Sequence, residues 1–378
     1  MKKLLGSVID NNELFNIVHK NESFIEFLPE VESLGFDKNG LYNSENLHDE
    51  FQKKIAPFTF SKPFICQLDN VELVGASALL FYKKRPVLEN SIGRYDCFEK
   101  SVLQAADCYY LGAPGSSQKK NIFSPDIVIC NLVNVWSKGY FHWILEGLTR
   151  LEMVRQYEHQ KSTRVKLLID QNPTGYIKES LLLLGFEESD LVYYTHQRNF
   201  AKKIILPSFR RQCGYTSTHA CKWLREKIFS SLNINTAQQP GGLRIYISRE
   251  LATKRKVINE DELTDFLLGN GFIKVNLEEY SFTEQVQLFS KASFIVAPHG
   301  AGITNIIFSR PGSIILELFH ENYVNPCYFT LAMALGLTYY YSTGKEINDN
   351  MAVEMDSVKS VFSEIFAGQS IDEPQADI

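Results

Sequence analysis

No stretch of the 378-residue sequence approaches 18 apolar residues in a row, so no segment reads as a membrane-spanning helix. The opening "MKKLLGSVIDNNELF" is broken by Asp10 too soon to supply the apolar core of a secretory signal. Positive charge is not in excess. The 39 Lys and Arg against 44 Asp and Glu leave a net charge of −5, which argues against nucleic-acid binding by bulk electrostatics and leaves only a local basic cleft open. The seven cysteines (Cys66, Cys97, Cys108, Cys130, Cys213, Cys221, Cys327) include no CxxC pair. Neither HExxH nor a Cys/His cluster at zinc spacing occurs, so no metal is expected. Odd in number and often set in apolar runs, these cysteines read as buried thiols of a reducing compartment. The expected location is the cytoplasm, with any contact to the inner face of a membrane peripheral. Tandem repeats are missing too, which excludes solenoid architectures.

With 44% hydrophobic and 22% charged residues, the composition is that of an ordinary globular protein, and the length suits two domains. Before Phe64 the chain alternates weak helical signals with polar loops. Phe64–Leu88 is β-rich and alternating, "DIVICNLV" is a further strand, and "YFHWILEGLTRLEMVRQY" has helical periodicity. "RVKLLID", a helix over Ile177–Leu184, "DLVYYT" and "AKKIILPS" then give the rhythm of a parallel sheet. A helix over His219–Leu232 leads to the turn-rich "NINTAQQPGG". After it a second βα series begins: strands at "LRIYISR", "FIKVNL", "SFIVAP", "SIILELF" and "LTYYYS", with helices between them. The expected fold class is α/β with two Rossmann-like domains, over residues 1–210 and 211–345. Residues 346–378 hold a last helix, Val353–Phe366, and a frayed acidic tail.

"IVAPHGAGITNIIFSRPGSIILELF", Ile295–Phe319, places a glycine-rich run where a strand hands over to a helix. Ligands of open parallel sheets bind at such strand ends, where glycines admit close approach and a helix N-terminus favours phosphate. The plain alternative is a tight turn that needs glycine for its dihedrals. Glu317, at the end of the next strand, could accept hydrogen bonds from the ribose hydroxyls of a nucleotide. Arg249 and Arg255, in "ISRELATKRKVINEDEL", leave the first strand of the same series and could fork onto a diphosphate. Arg255 reads equally as part of a solvated loop, and His299 as either a phosphate donor or a cap of the turn. Asn259 with Glu262 fits a capping box.

Three blocks, "SRELATKRKVINEDEL", "APHGAGITNIIFSRPGSIILEL" and the upstream "FHWILEGLTRL", together resemble the family 61 glycosyltransferases. The resemblance implies a GT-B arrangement of two Rossmann-like domains with the last helix crossing back to the first, a nucleotide-sugar donor held by the C-terminal one, and inversion at the anomeric carbon. Donor-binding residues are then Arg249, Arg255, His299, Gly300, Ala301, Gly302, Asn305 and Glu317. The expected donor is UDP-linked and no other cofactor is implied. The expected acceptor is a glycan or lipid-linked glycan, in bacterial surface-polysaccharide (capsule) synthesis. No DxD motif occurs, so cationic side chains and a helix N-terminus are expected to hold the diphosphate without metal.

An inverting transfer needs a base for the acceptor hydroxyl. On "YFHWILEGLTRLEMV", His142, Glu146 and Arg150 fall at i, i+4 and i+8 on one helical face, opposite Ile144, Leu148 and Leu151. The plain reading is an exposed face with a Glu146–Arg150 pair. The family more often has Asp at the position of Glu146 and Pro at that of Thr149, and either His142 or Glu146 could be the base. A dinucleotide oxidoreductase would need GxGxxG after a first strand, and neither series starts so. A nucleotide-sugar epimerase or hydrolase on the same scaffold, or a non-catalytic glycan-binding relative, are the other readings.

Overall fold

The computed structural model describes residues 8–27, 31–35, 47–91, 98–103, 105, 120–121, 126–195, 198–235 and 242–367. Cys97, Cys108, most of the "NINTAQQPGG" linker and the acidic tail lie outside the described residues. The chain divides into two compact units, one of residues 1–35 and 57–234, the other of 36–56 and 235–378. Residues 211–234, expected with the second domain, thus lie with the first, and a segment near the N-terminus lies with the second. Among the described residues, no helix is long and apolar enough to cross a membrane.

The first unit is built on β1 (Phe64–Val74), β2 (Leu79–Tyr82), β3 (Val128–Asn131), β4 (Val165–Asp170), β5 (Leu191–Tyr194) and β6 (Asn199–Pro207). Its sheet runs β5-β4-β3-β6-β1-β2. The β5-β4-β3-β6 half is parallel, and the β6-β1-β2 half is antiparallel. The sheet is therefore mixed rather than purely Rossmann-like. Short turns such as the four residues between β1 and β2 can join antiparallel strands directly, whereas parallel neighbours need a crossover. Helix α1 (Asn11–Lys20) lays Leu14 and Val18 against Val71, Leu73, Leu80 and Ile204 of this sheet, and its N-terminal N–H groups are capped by Asp10.

In the parallel half, β3, β4, β5 and β6 come in spatial order third, second, first, fourth. The order reverses between β3 and β6, which are parallel neighbours. Such a reversal leaves a crevice at the carboxyl ends of the two strands. The loop after β3 leads to Tyr140–His142, and the loop after β6 leads to a small hairpin, Arg211–Gln212 with Tyr215–Thr216.

The second unit contains β7 (Leu243–Ile247), α2 (Glu260–Gly269), β8 (Phe272–Val275), α3 (Phe282–Lys291), β9 (Ala292–Pro298), β10 (Ile314–His320), α4 (Cys327–Leu335), β11 (Thr338–Ile347), β12 (Asn350–Ala352) and α5 (Met355–Ala367). Its sheet order is β8-β7-β9-β10-β11-β12, parallel except for the last pair. The reversal here falls between β7 and β9. Helix α5 packs Val358, Val361 and Phe362 into this unit's own core with Phe272 and Phe294. The short helical turn Asp49–Gln52 belongs here as well: Phe51 is fully buried, its ring 4.6 Å from that of Tyr341 and 5.3 Å from Phe329. Asn259 makes no cap. Its side chain bonds both the N–H and the carbonyl of Val353, tying the start of α2 to the approach to α5.

Cys66, Cys130 and Cys221 are buried free thiols as expected, whereas Cys213 is exposed. Burial pushes the Cys130 thiol up to about 11 and Cys221 to about 12, which keeps both uncharged and unreactive near neutral pH.

Candidate functional site

His142 and Glu146 follow β3, one of the two strands that flank the reversal of order in the first unit's sheet. The helix that carries them is not a regular α-helix: Tyr140–His142 is α, Trp143–Gly147 is a π turn, and Leu148–Arg150 is 3₁₀ before α-geometry resumes at Leu151. Gly147 suits the widened turn, since a Cβ there would stand 3.2 Å from the Trp143 ring. His142 Nδ1 meets Glu146 Oε2 at 2.6 Å, and Arg211 Nη1 donates to Oε1 of the same carboxylate at 3.2 Å. Glu146 is 1% exposed and His142 about a quarter exposed, so the imidazole covers the carboxylate and keeps its far edge open. Trp136 stacks on the His142 ring at 5.3 Å, and Phe141 meets it edge-on. A buried carboxylate that accepts from Nδ1 fixes the tautomer and leaves Nε2 as the basic nitrogen.

Arg150 does not share this face. The π and 3₁₀ turns change the register, and its Nε donates to the Pro207 carbonyl at 2.9 Å while the guanidinium lies on Phe209 at 4.2 Å. It is a buried prop of the end of β6, with burial holding its pKa below the usual arginine value.

In the second unit, Arg249 follows β7 and the His299–Gly302 run follows β9, the two strands that flank the reversal of sheet order. Gly300 has an extended φ of −179°, so its glycine is not needed for the dihedral. A Cβ there would lie 2.2 Å from Arg249 Nη1, and the missing side chain makes room for the guanidinium. Gly302 likewise leaves space for Leu277, whose Cδ1 would be 2.8 Å from a Cβ. Arg249 Nη2 donates to the Lys254 carbonyl at 3.1 Å, but its buried Nε has no hydrogen-bond partner. Burial, first, and the neighbouring Arg255 charge push its pKa down, and Glu278 offsets them only in part. Arg255 itself sits in the left-handed region, φ 59°, with its guanidinium 5.6 Å above the Tyr323 ring.

His299 is almost enclosed, stacked on Phe319 at 5.2 Å, and its Nδ1 lies 2.5 Å from Glu317 Oε1. The other oxygen, Oε2, accepts from Tyr339 Oη at 2.5 Å. Glu317 is wholly buried, and both of its oxygens are bonded inside the protein, to His299 and Tyr339, rather than open to a ribose as expected. Asn305 is also inward, its amide donating to Gln285 and to the Gly302 carbonyl; it holds the turn rather than facing a ligand. Ala301 is exposed at the head of the 3₁₀ helix Ala301–Phe308. Among the described residues, no group of three or more His, Cys, Asp or Glu is placed to hold a metal ion.

Arg211, Trp136, Phe319 and Tyr339 were not singled out from the sequence. Arg211 had a signal: "ILPSFRR" runs from strand into arginine as "IYISR" does.

Residues 140–316 match the family model Glycosyltransferase 61, a stretch that carries His142, Glu146, Arg249 and His299 and ends one residue before Glu317. The chain is 32% identical over 121 residues to the protein O-linked-mannose beta-1,4-N-acetylglucosaminyltransferase 2 of Xenopus laevis, covering 31% of this chain and 20% of that protein. It is 27% identical over 134 residues to the EGF domain-specific O-linked N-acetylglucosamine transferase of Gallus gallus, covering 33% of this chain and 24% of that protein. The chain thus spans about a fifth to a quarter of the length of the curated relatives it matches. Family pattern and relatives together support a glycosyltransferase.

Proposed function

We propose that the chain is an inverting glycosyltransferase that moves a sugar from a nucleotide, UDP being the expected carrier, to a glycan hydroxyl. The observation that carries this reading is the Arg249–Gly300 contact: a largely buried guanidinium with an unpartnered Nε, beside a second arginine, at the reversal of sheet order. Two neighbouring guanidinium groups fit a diphosphate, and His299, its Nδ1 held by Glu317, is a third polar group at that end of the sheet. Arg255 and His299 therefore keep their expected donor-binding role in this proposal.

On the acceptor side, His142 Nε2 takes the hydroxyl proton while Glu146 orients the ring and stabilises its positive charge. The oxygen attacks the anomeric carbon as the bond to the diphosphate oxygen breaks on the opposite face. The GT-B arrangement, with the donor on one unit and the activating pair on the other, is part of the proposal, as is independence from metal: the arginines supply the charge that a divalent ion would. A surface-polysaccharide acceptor is the specific form implied by the sequence resemblance, while the relatives named above use O-linked mannose and EGF domains. Thermal-shift titration with UDP-, GDP-, CMP- and dTDP-sugars, followed by donor hydrolysis in excess EDTA, tests the reading. A bound nucleotide raises the melting temperature by mass action. No shift with any donor rejects the proposed function, and activity abolished by EDTA rejects metal independence.

A further inference from the structure

The first unit carries two cavities that the chemistry above does not use. The larger, about 750 Å³, is walled in part by Asn11, Phe15, Phe64, Glu89 and Arg211. The smaller, about 320 Å³, is walled in part by Glu32, Phe60, Glu152, Arg210 and His219. Ser61, Phe209 and Gln212 line both, and the Ser61 N–H bonds Gln212 Oε1 at 2.9 Å, so the two adjoin across one thin partition. A ligand that fills both is a chain of units rather than one compact molecule.

The walls define its chemistry. Asn11 gives its Nδ2 to Glu89 at 3.0 Å and leaves a buried Oδ1 without a partner, while Arg211, nine-tenths buried, has an unpartnered Nε. One atom needs a donor and the other an acceptor, and a hydroxyl can serve as either. Arg210 pairs with Glu152 at 3.4 Å, His219 with Glu152 at 2.8 Å, and Arg211 with Glu146, while Glu32 is held by Ser217 and the Thr218 N–H and Glu89 by Asn11 and the Phe209 N–H. Paired cations beside carboxylates held by uncharged donors favour a neutral ligand over an anion. Phe15, Phe64 and Phe209 in the larger cavity, with Phe60 in the smaller, offer apolar faces to the C–H face of a sugar ring.

We propose that the joined cavities bind a neutral oligosaccharide of at least two sugar residues, with Arg211 as the positioning residue shared between that ligand and the His142–Glu146 pair. This names the acceptor site of the function proposed above and rests on that reading for its role in transfer. The test is binding of the full chain to an array of mono-, di- and trisaccharides linked through their reducing ends, with UDP affinity measured separately by calorimetry. Disaccharides should bind at least about tenfold tighter than the matching monosaccharides, the worth of one or two well-placed hydrogen bonds. Ser61→Trp, at an exposed position between the cavities, should abolish that binding with melting temperature and UDP affinity unchanged, and Asn11→Leu should abolish it with UDP affinity unchanged and a lowered melting temperature, since it takes a donor from buried Glu89. Equal binding of mono- and disaccharides, no saccharide bound at all, or variants that bind like the parent would each overturn the inference. Saccharide binding without UDP binding would sustain it and reject the donor-transfer reading instead.

Discussion

The two units each hold a histidine Nδ1 against a glutamate at almost the same distance, 2.6 Å in His142–Glu146 and 2.5 Å in His299–Glu317, and each pair sits where its sheet reverses order. The surroundings differ. Glu146 is anchored by a cation, Arg211, and its histidine keeps an open edge; Glu317 is anchored by a neutral phenol, Tyr339, and its histidine is packed among Phe319, Tyr323 and Tyr328. Burial beside Glu317 drives the Tyr339 hydroxyl well above its ordinary pKa, so it stays a hydrogen-bond donor at every working pH. The first pair therefore leaves an imidazole edge open to a substrate, whereas the second holds its imidazole enclosed.

Exchanging the members of each pair should separate those roles. His142→Ala and Glu146→Gln should each lower turnover by about 10²–10⁴-fold, the usual contribution of a general base, with nucleotide affinity unchanged in calorimetry. Near-normal turnover in both would place the base elsewhere. On the other side, Arg249→Ala should weaken nucleoside diphosphate binding by ~1.5–3 kcal/mol, the size of a hydrogen bond to a charged group. Gly300→Ala, whose methyl displaces the guanidinium, should cost about tenfold in the same affinity, with the melting temperature as a control for folding. The smallest effect is Tyr339→Phe. Removing one of the two partners of a buried carboxylate should cost about 1 kcal/mol in denaturant unfolding, and a larger loss of turnover than of stability would show that Tyr339 touches substrate.

Both pairs were within reach of the sequence, but not their geometry. Strand ends with glycine or arginine were legible because they follow from period-two alternation and the residues that break it. The strands of the second unit fall within two or three residues of the expected ones, except that β11 runs on to Ile347. The stripe through Arg150 failed because a helical wheel assumes 3.6 residues per turn, and the π turn over Trp143–Gly147 breaks that count. Glu317 looked exposed because a strand end is often open. The buried contacts that close it, from His299 and Tyr339, come from neighbouring strands. Gly300 was read as a place for a ligand to approach closely, and what lies against it is Arg249, fifty-one positions earlier. Long-range pairs of this kind leave no local period.

Phe51 adds a matter of timing. Its ring is buried against Phe319, Phe329, Tyr339 and Tyr341, the same aromatic bed that supports His299 and Glu317. Synthesis proceeds from the N-terminus at about 5–20 residues per second, so this phenylalanine leaves the ribosome roughly 15–60 s before Tyr341 does. Once residue 234 has emerged the first unit can close on itself, while Phe51, which belongs to the second unit, still awaits its aromatic neighbours. The core of the second unit thus joins an early-made side chain to late-made strands, and a chaperone that shields Phe51 would act before the strand carrying Tyr341 exists.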